Sequence, residues 1–182
     1  MRARLRSLVS DSRGAATLEF ALVATPFIGL VLGLAAVAFN IYMQFVLDYA
    51  LRNAVRQVQI GALPATTSAA DFTANVFCPI FSRFAACSGV VMTLMPVADY
   101  LNATVVTQPA AARLGTGGGF CTGQPGQLMF ARAVYLATPI SQFWSYAAQA
   151  VVGGATYTVL ISTAAFANEN PYGSAIPASG GC

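Results

Sequence analysis

The sequence predicts an α+β protein: a long N-terminal transmembrane and amphipathic helix followed by a small antiparallel-sheet domain. Three observations predict it. Phe20 to Leu47 is a run of 28 residues without a charge. The stretch after it alternates apolar and polar positions with a spacing of four. Beyond residue 61 come short β-branched and aromatic runs broken by Gly and Pro. The expected organisation is a basic leader over 1–14, a helix over 15–60 (membrane span about 20–40, amphipathic extension 41–60) and an α+β domain over 61–182.

The uncharged run comes first. A bilayer core needs about 20 apolar residues in a helix, so Phe20 to Phe39 alone would span it. At about 1.5 Å per residue the whole run extends about 42 Å. Pro26 lies inside it and is expected to kink or loosen the helix, which membrane helices tolerate. A cleaved secretory signal is the competing reading, with Ala35-Ala36-Val37-Ala38 as the cleavage region, although its apolar core would be only about 7–15 residues. Arg2, Arg4, Arg6 and Arg13 precede the run, whereas Arg52 and Arg56 beyond it are partly offset by Asp48. The positive-inside rule then puts the N-terminus in the cytoplasm and everything past about residue 45 outside.

Past Phe39 the helix continues as an amphipathic one. Tyr42, Val46, Ala50, Ala54 and Val58 recur every four residues, and Asp48, Arg52 and Arg56 form a polar row with the same spacing. Asp48 four residues before Arg52 is a helix-supporting order for an ion pair. Gly61, with Pro64 three residues on, marks the stop.

The remaining 121 residues carry six charges: Asp71, Arg83, Asp99, Arg113, Arg132 and Glu169. Ser68 with Asp71 reads as a helix N-cap for a helix reaching about Phe84. Strand-like runs follow at 89–95, 103–108, 128–137 and 156–166. A short helix is expected between the last two, from Pro139 to Val151. Six glycines in the twelve residues from Gly115 to Gly126 make a loop. The aromatic cluster Phe143, Trp144 and Tyr146 is expected in the domain core. Arg132 is either an exposed-face residue or a partner of Glu169.

Composition excludes several chemistries. Only 8% of the 182 residues are charged, against roughly 25% in ordinary soluble domains. The chain has no His, which removes Ser-His-Asp and Cys-His catalysis and His-ligated metals. It has no Lys, which removes a Schiff-base amine and a Walker-type phosphate loop. A formal charge of +3 is too small to argue for nucleic acid. An enzyme built on a carboxylate pair would have only Asp71, Asp99 and Glu169 in the outer domain, far apart in sequence. The expectation is therefore no enzyme, no cofactor, no small-molecule substrate and no nucleic acid.

Four cysteines, Cys78, Cys87, Cys121 and Cys182, all lie beyond the span. Their even number on the outer side suits two disulfides in an oxidising space. Three connectivities are open; Cys78–Cys87 with Cys121–Cys182 is preferred because the first closes a short loop and the second pins the chain end. Free buried thiols and a four-cysteine zinc site are the alternatives, and the spacings form no zinc knuckle.

Immediately before the apolar run stands Arg13-Gly14-Ala15-Ala16-Thr17-Leu18-Glu19-Phe20. A carboxylate at the edge of a membrane span is costly unless paired, which makes Glu19 a functional candidate. This pattern resembles the type IV prepilins, and within them the TadE-like minor pseudopilins of the tight-adherence (Tad/Flp) pilus system. The resemblance rests on RGAATLEFALVATPFIGLVLGL, on YALRNAVRQVQIG (49–61) and on the closing TAAFANENPYG (163–173). It implies a pseudopilin-like outer domain and cleavage between Gly14 and Ala15 by a prepilin peptidase on the cytoplasmic face. Glu19 would then be the fifth residue of the mature chain, pairing with the N-terminal amine of a neighbouring subunit, with Phe20 beside it at the assembly surface. The implied partners are that peptidase, other pilins or pseudopilins, and the Tad inner-membrane assembly platform. The implied place is the bacterial inner membrane, single-pass, with a periplasmic C-terminal domain and possible entry into a surface pilus. Family members often begin with a methylated Phe; here Ala15 stands there. Removal of the leader takes four arginines and Asp11, leaving five basic and five acidic side chains. The rival is an unprocessed, membrane-anchored binding domain of the envelope.

Overall fold

The computed structural model describes residues 15–63, 67–97, 119–138, 149–152 and 154–169. Helix α1 runs from Ala15 to Gln59 without interruption, passing through Pro26. At about 1.5 Å per residue it is about 67 Å long. The expected local break at Pro26 is absent from the hydrogen-bonded pattern, and Thr25 Oγ1 donates to the Ala21 carbonyl one turn back at 2.7 Å. The helix stops where the glycine predicts. Gly61 adopts φ +68°, and the Gly61 and Ala62 amides reach back to the carbonyls of Val58 and Gln57, both at 3.0 Å. That pair of bonds is the Schellman arrangement, which needs a left-handed residue at this place.

The two halves of α1 live in different surroundings. Met43, Val46, Leu47, Ala50, Leu51, Ala54, Val55 and Val58 are buried in the main core, a stripe at three- and four-residue spacing. Before it the apolar side chains stand bare: Phe20 is 74% exposed, Leu22 72% and Phe27 65%. This is the one helix among the described residues long and apolar enough to cross a membrane.

A second helix, α2, covers Ala69–Phe81. Ser68 caps it: the Asp71 amide donates to the Ser68 hydroxyl at 3.1 Å, and that hydroxyl donates to Asp71 Oδ2 at 2.6 Å. The turn Thr73–Phe77 is π-helical and is followed by Pro79. A proline ring clashes with the carbonyl four residues back and donates no bond, and a widened turn relieves both problems. Phe72, Phe77 and Phe81 are fully buried, and Phe81 meets Tyr135 edge-on with centroids 5.0 Å apart. The helix ends at Phe81, one turn short of the expected Phe84.

The sheet has four antiparallel strands, β1 (Val90–Pro96), β2 (Leu128–Ala137), β3 (Gln149–Val152) and β4 (Ala155–Ala167), in the order β1-β2-β4-β3. Val90 pairs with Tyr135, Leu128 with Ala167 and Val152 with Ala155. Three of the expected strands are therefore present nearly as read. The expected strand at 103–108 and the cluster around Trp144 lie outside the described residues. The expected helix to Val151 needs correction: residues 149–152 are the first arm of a hairpin. Only Gly153-Gly154 separate its strands. Gly154 sits at φ +82°, a conformation that two-residue hairpin turns require.

Odd-numbered residues of β2 (Met129, Ala131, Ala133, Tyr135) and even-numbered residues of β4 (Leu160, Phe166) face α1 and α2 in the main core. Part of the opposite face is buried as well, around Val134, Ala150 and Val159. Arg132 is on that face, 6% exposed and flanked in register by Thr93 and Thr163. It is thus neither an exposed-face residue nor placed beside Glu169, which sits on the α1 side.

Candidate functional site

Two places carry the residues that the sequence singles out, and the helix head is the first. Glu19 is the fifth residue of α1, and both it and Phe20 are exposed on an apolar helix that nothing among the described residues covers there. Among the described residues the Glu19 carboxylate has no hydrogen-bond or ion-pair partner. Gly14 lies outside the described residues, and Ala15 opens the helix. An ionised carboxylate in that setting is an acceptor only, for a hydrogen-bond donor or a cation.

The second place is where the chain end meets the foot of α1. The Glu169 amide donates to the Gln59 carbonyl at 2.9 Å, and Gln59 Nε2 donates to Glu169 Oε1 at 3.0 Å. Asn168 just before it is 2% exposed. Its Nδ2 donates to the carbonyls of Thr122 and Gly123 at 3.0 and 3.3 Å. Its backbone donates to Gln127 O at 3.0 Å and accepts from Gly126 N at 2.7 Å. The strand running into Asn-Glu is thus a clamp between α1, β4 and the loop before β2. Asn168 as the centre of that clamp is not legible in the sequence; an Asn ending a β-branched strand is the only signal, and it is weak.

A shallow groove of about 580 Å³ lies between these elements, lined by Arg52, Val55, Arg56, Gln59 and Ile60 at the foot of α1 and by 163–166 and Glu169. The expected Asp48–Arg52 ion pair does not form. Asp48 instead accepts from Gln44 Nε2 at 3.3 Å, and the same amide donates to the Ile161 carbonyl at 2.9 Å. Half-buried Asp48 is held against the sheet, and the two arginines are left at the surface.

Cys78 and Cys87 form a disulfide, with Cα atoms 5.8 Å apart, that ties the end of α2 to the approach of β1. Cys121 is disulfide-bonded too; Cys182, its expected partner, lies outside the described residues. No group of three or more His, Cys, Asp or Glu side chains placed to hold a metal occurs among the described residues.

Comparison with curated proteins gives no match, and neither does comparison with solved structures. Comparison with protein families gives a match that falls on the helix head and its amphipathic continuation rather than on the sheet. Residues 14–56 match the family described as TadE-like protein, the family that the sequence pattern resembles.

Proposed function

We propose that this chain is a minor pseudopilin of a Tad/Flp-type pilus, cut by a prepilin peptidase after Gly14 and taking part in starting, anchoring or capping the fibre. A TadE-like match implies a Tad pilus-associated protein, and that family is structural rather than catalytic. The observation that carries the finer reading is Glu19, exposed and without a partner among the described residues, near the head of an apolar helix inside the matched segment. A carboxylate so placed in a membrane costs several kcal/mol unless a cation meets it. Cleavage before Ala15 would create such a cation, an α-amine, on each neighbouring subunit. The first half of α1 would lie in the inner membrane with the sheet domain in the periplasm. The pilins and the assembly platform would be its partners.

Glu19→Ala tests the pairing step. It should abolish or strongly reduce piliation while the mass of the cleaved chain shows processing intact. Normal piliation in this variant would refute the pairing mechanism. A mature chain that still begins at Met1 would refute the pseudopilin reading and favour an unprocessed anchored binding domain.

A further inference from the structure

The core of the sheet domain begins inside the membrane-length run of α1. Met43 is the first residue of the helix in that core, and the uncharged run continues past it to Leu47. The run is about 42 Å long, and a bilayer with its headgroups is about 40–45 Å thick. No stretch of α1 is therefore left over as a spacer between the bilayer and the domain.

Two bonds show which end of the domain faces the bilayer. The Glu169 amide meets Gln59 at the foot of α1, and the Ile161 carbonyl meets the Gln44 side chain. β4 thus runs toward the head of α1 as its residue numbers fall. Leu160 shares a groove of about 470 Å³ with the face of α1 from Val37 to Asp48. From Ile161 back to Ala155, six residues of strand extend about 20 Å further. Only about 8 Å along α1 separates Gln44 from Phe39, the last residue of a span begun at Phe20. The β3–β4 hairpin therefore reaches the headgroup layer.

The residues at that end suit lipid. From Ala133 to Asn168 the chain carries no charge, and Val151 on the hairpin is 66% exposed. At the opposite edge of the sheet, in the turn before β1, Phe84 meets Tyr42 edge-on with centroids 6.3 Å apart, and both rings are half exposed. Tyr42 stands about 5 Å along the axis beyond Phe39, at the level where aromatic rings collect in membranes. Charge sorts along the same axis. Among the described residues beyond α1, the exposed charged side chains are Asp71, Arg83 and Glu169. Glu169 lies at the foot of α1 and Asp71 follows that foot after a short connection, so both acids are at the far end. Arg83, beside Phe84, is at the near end.

We propose that the sheet domain has a lipid-binding surface of its own, the β3–β4 hairpin and the Arg83-Phe84 turn, which seats it in the headgroup layer of an anionic phospholipid bilayer. Arg83 meets the anionic headgroups, while Val151 and Phe84 enter beside them. A single helix leaves its tilt and rotation in the bilayer open, and anchors beside it fix both. The inference rests on the reading of the first half of α1 as a membrane span.

The test uses the full chain in vesicles of phosphatidylethanolamine and phosphatidylglycerol, with p-benzoyl-phenylalanine replacing one residue at a time and lipid adducts read by intact mass after irradiation. Phe84 and Val151 report the proposed surface, Phe27 reports the span, and Leu128, exposed at the far end beside Ala167, is the control. All four sites are exposed, so the larger ring needs no repacking. Phospholipid adducts are expected at 27, 84 and 151 and none at 128. One arginine at an anionic surface shifts such an equilibrium by about five-fold, and Arg83→Glu should lower the adduct yield at 84 by about that factor. An unchanged yield would overturn the role of Arg83. Adducts at 27 but at neither 84 nor 151 would overturn the inference and leave the span standing. No adduct at 27 would overturn the span reading and the inference with it. Cross-links at 84 and 151 to a second copy of the chain instead of to lipid would also overturn it.

Discussion

Replacing both Cys78 and Cys87 with Ser removes the one cross-link between α2 and β1 while changing a single atom at each position. The bridged residues are nine apart, so the closed loop holds about ten residues. The chain-entropy relation for a loop of that size gives about 9 cal/mol/K, or about 2.7 kcal/mol at 25 °C. Cys78 and Cys87 are only partly buried at the rim of the core, so the serine hydroxyls keep contact with water and add little penalty. For a domain of this size roughly 4 °C of midpoint accompanies each kcal/mol, so the variant should melt about 10 °C lower. The assay is thermal unfolding by near-ultraviolet circular dichroism of the full chain in micelles. Phe77, Phe81 and Tyr135 pack close to the bridge and report on tertiary order there. Wild-type protein under reductant should fall at least as far, because the Cys121 bridge opens as well. A drop below about 2 °C would show that aromatic packing, not the covalent loop, holds α2 against the sheet.

Other substitutions probe separate contacts. Asn168→Ala strips the donors from two carbonyls in a buried turn and should cost about 1–3 kcal/mol, read as a shifted denaturant midpoint; a neutral result would mean that the clamp is held by its backbone bonds alone. Leu51→Ala empties a fully buried site on α1 and should cost about 2–5 kcal/mol, whereas Leu22→Ala on the bare half should leave the unfolding of the sheet domain unchanged. Burial raises the Tyr135 phenol above its usual 10.0. The unfolded chain therefore ionises first, and the contribution of this group is complete below pH 10 and lost as the pH rises past it. Tyr135→Phe keeps the ring contact with Phe81 and should flatten the alkaline loss of stability; an unchanged alkaline limb would refute the assignment.

What could be read in advance was whatever local chemistry decides. The uncharged run, the four-residue spacing after it and Gly61 place α1 to within about a residue. Ser68-x-x-Asp71 marks the start of α2, and the β-branched runs give β2 at its observed limits. Gln149-Ala150-Val151-Val152 is too short to show an alternation and so reads as helix; Gly153-Gly154 after Val151-Val152 is the better signal of a hairpin. Arg132 resisted for another reason. Its burial depends on both faces of the sheet being covered, which a near-continuous apolar strand such as Leu128–Ala137 signals for the strand as a whole. The same holds for Asp48. Spacing alone paired it with Arg52, but Gln44, anchored to Ile161 across the fold, holds it instead. At the helix head the cost of a carboxylate and the Gly14-x4-Glu19-Phe20 pattern together single out Glu19, and the exposed helix around it is consistent with that cost being met from outside the chain.

Because α1 passes without a break from the bare apolar segment into the packed stripe, it acts as a torsion shaft. Each residue inserted near Ala38 would swing the sheet domain by about 100° about the axis and lift it by about 1.5 Å. The azimuth of the sheet domain is therefore set by the residue count between Glu19 and Met43. A seven-residue insertion would bring the domain back to within about 20° of its original bearing, while raising it by about 10 Å. An assembly that reads both ends of this chain at once would tolerate that insertion far better than one of three or five.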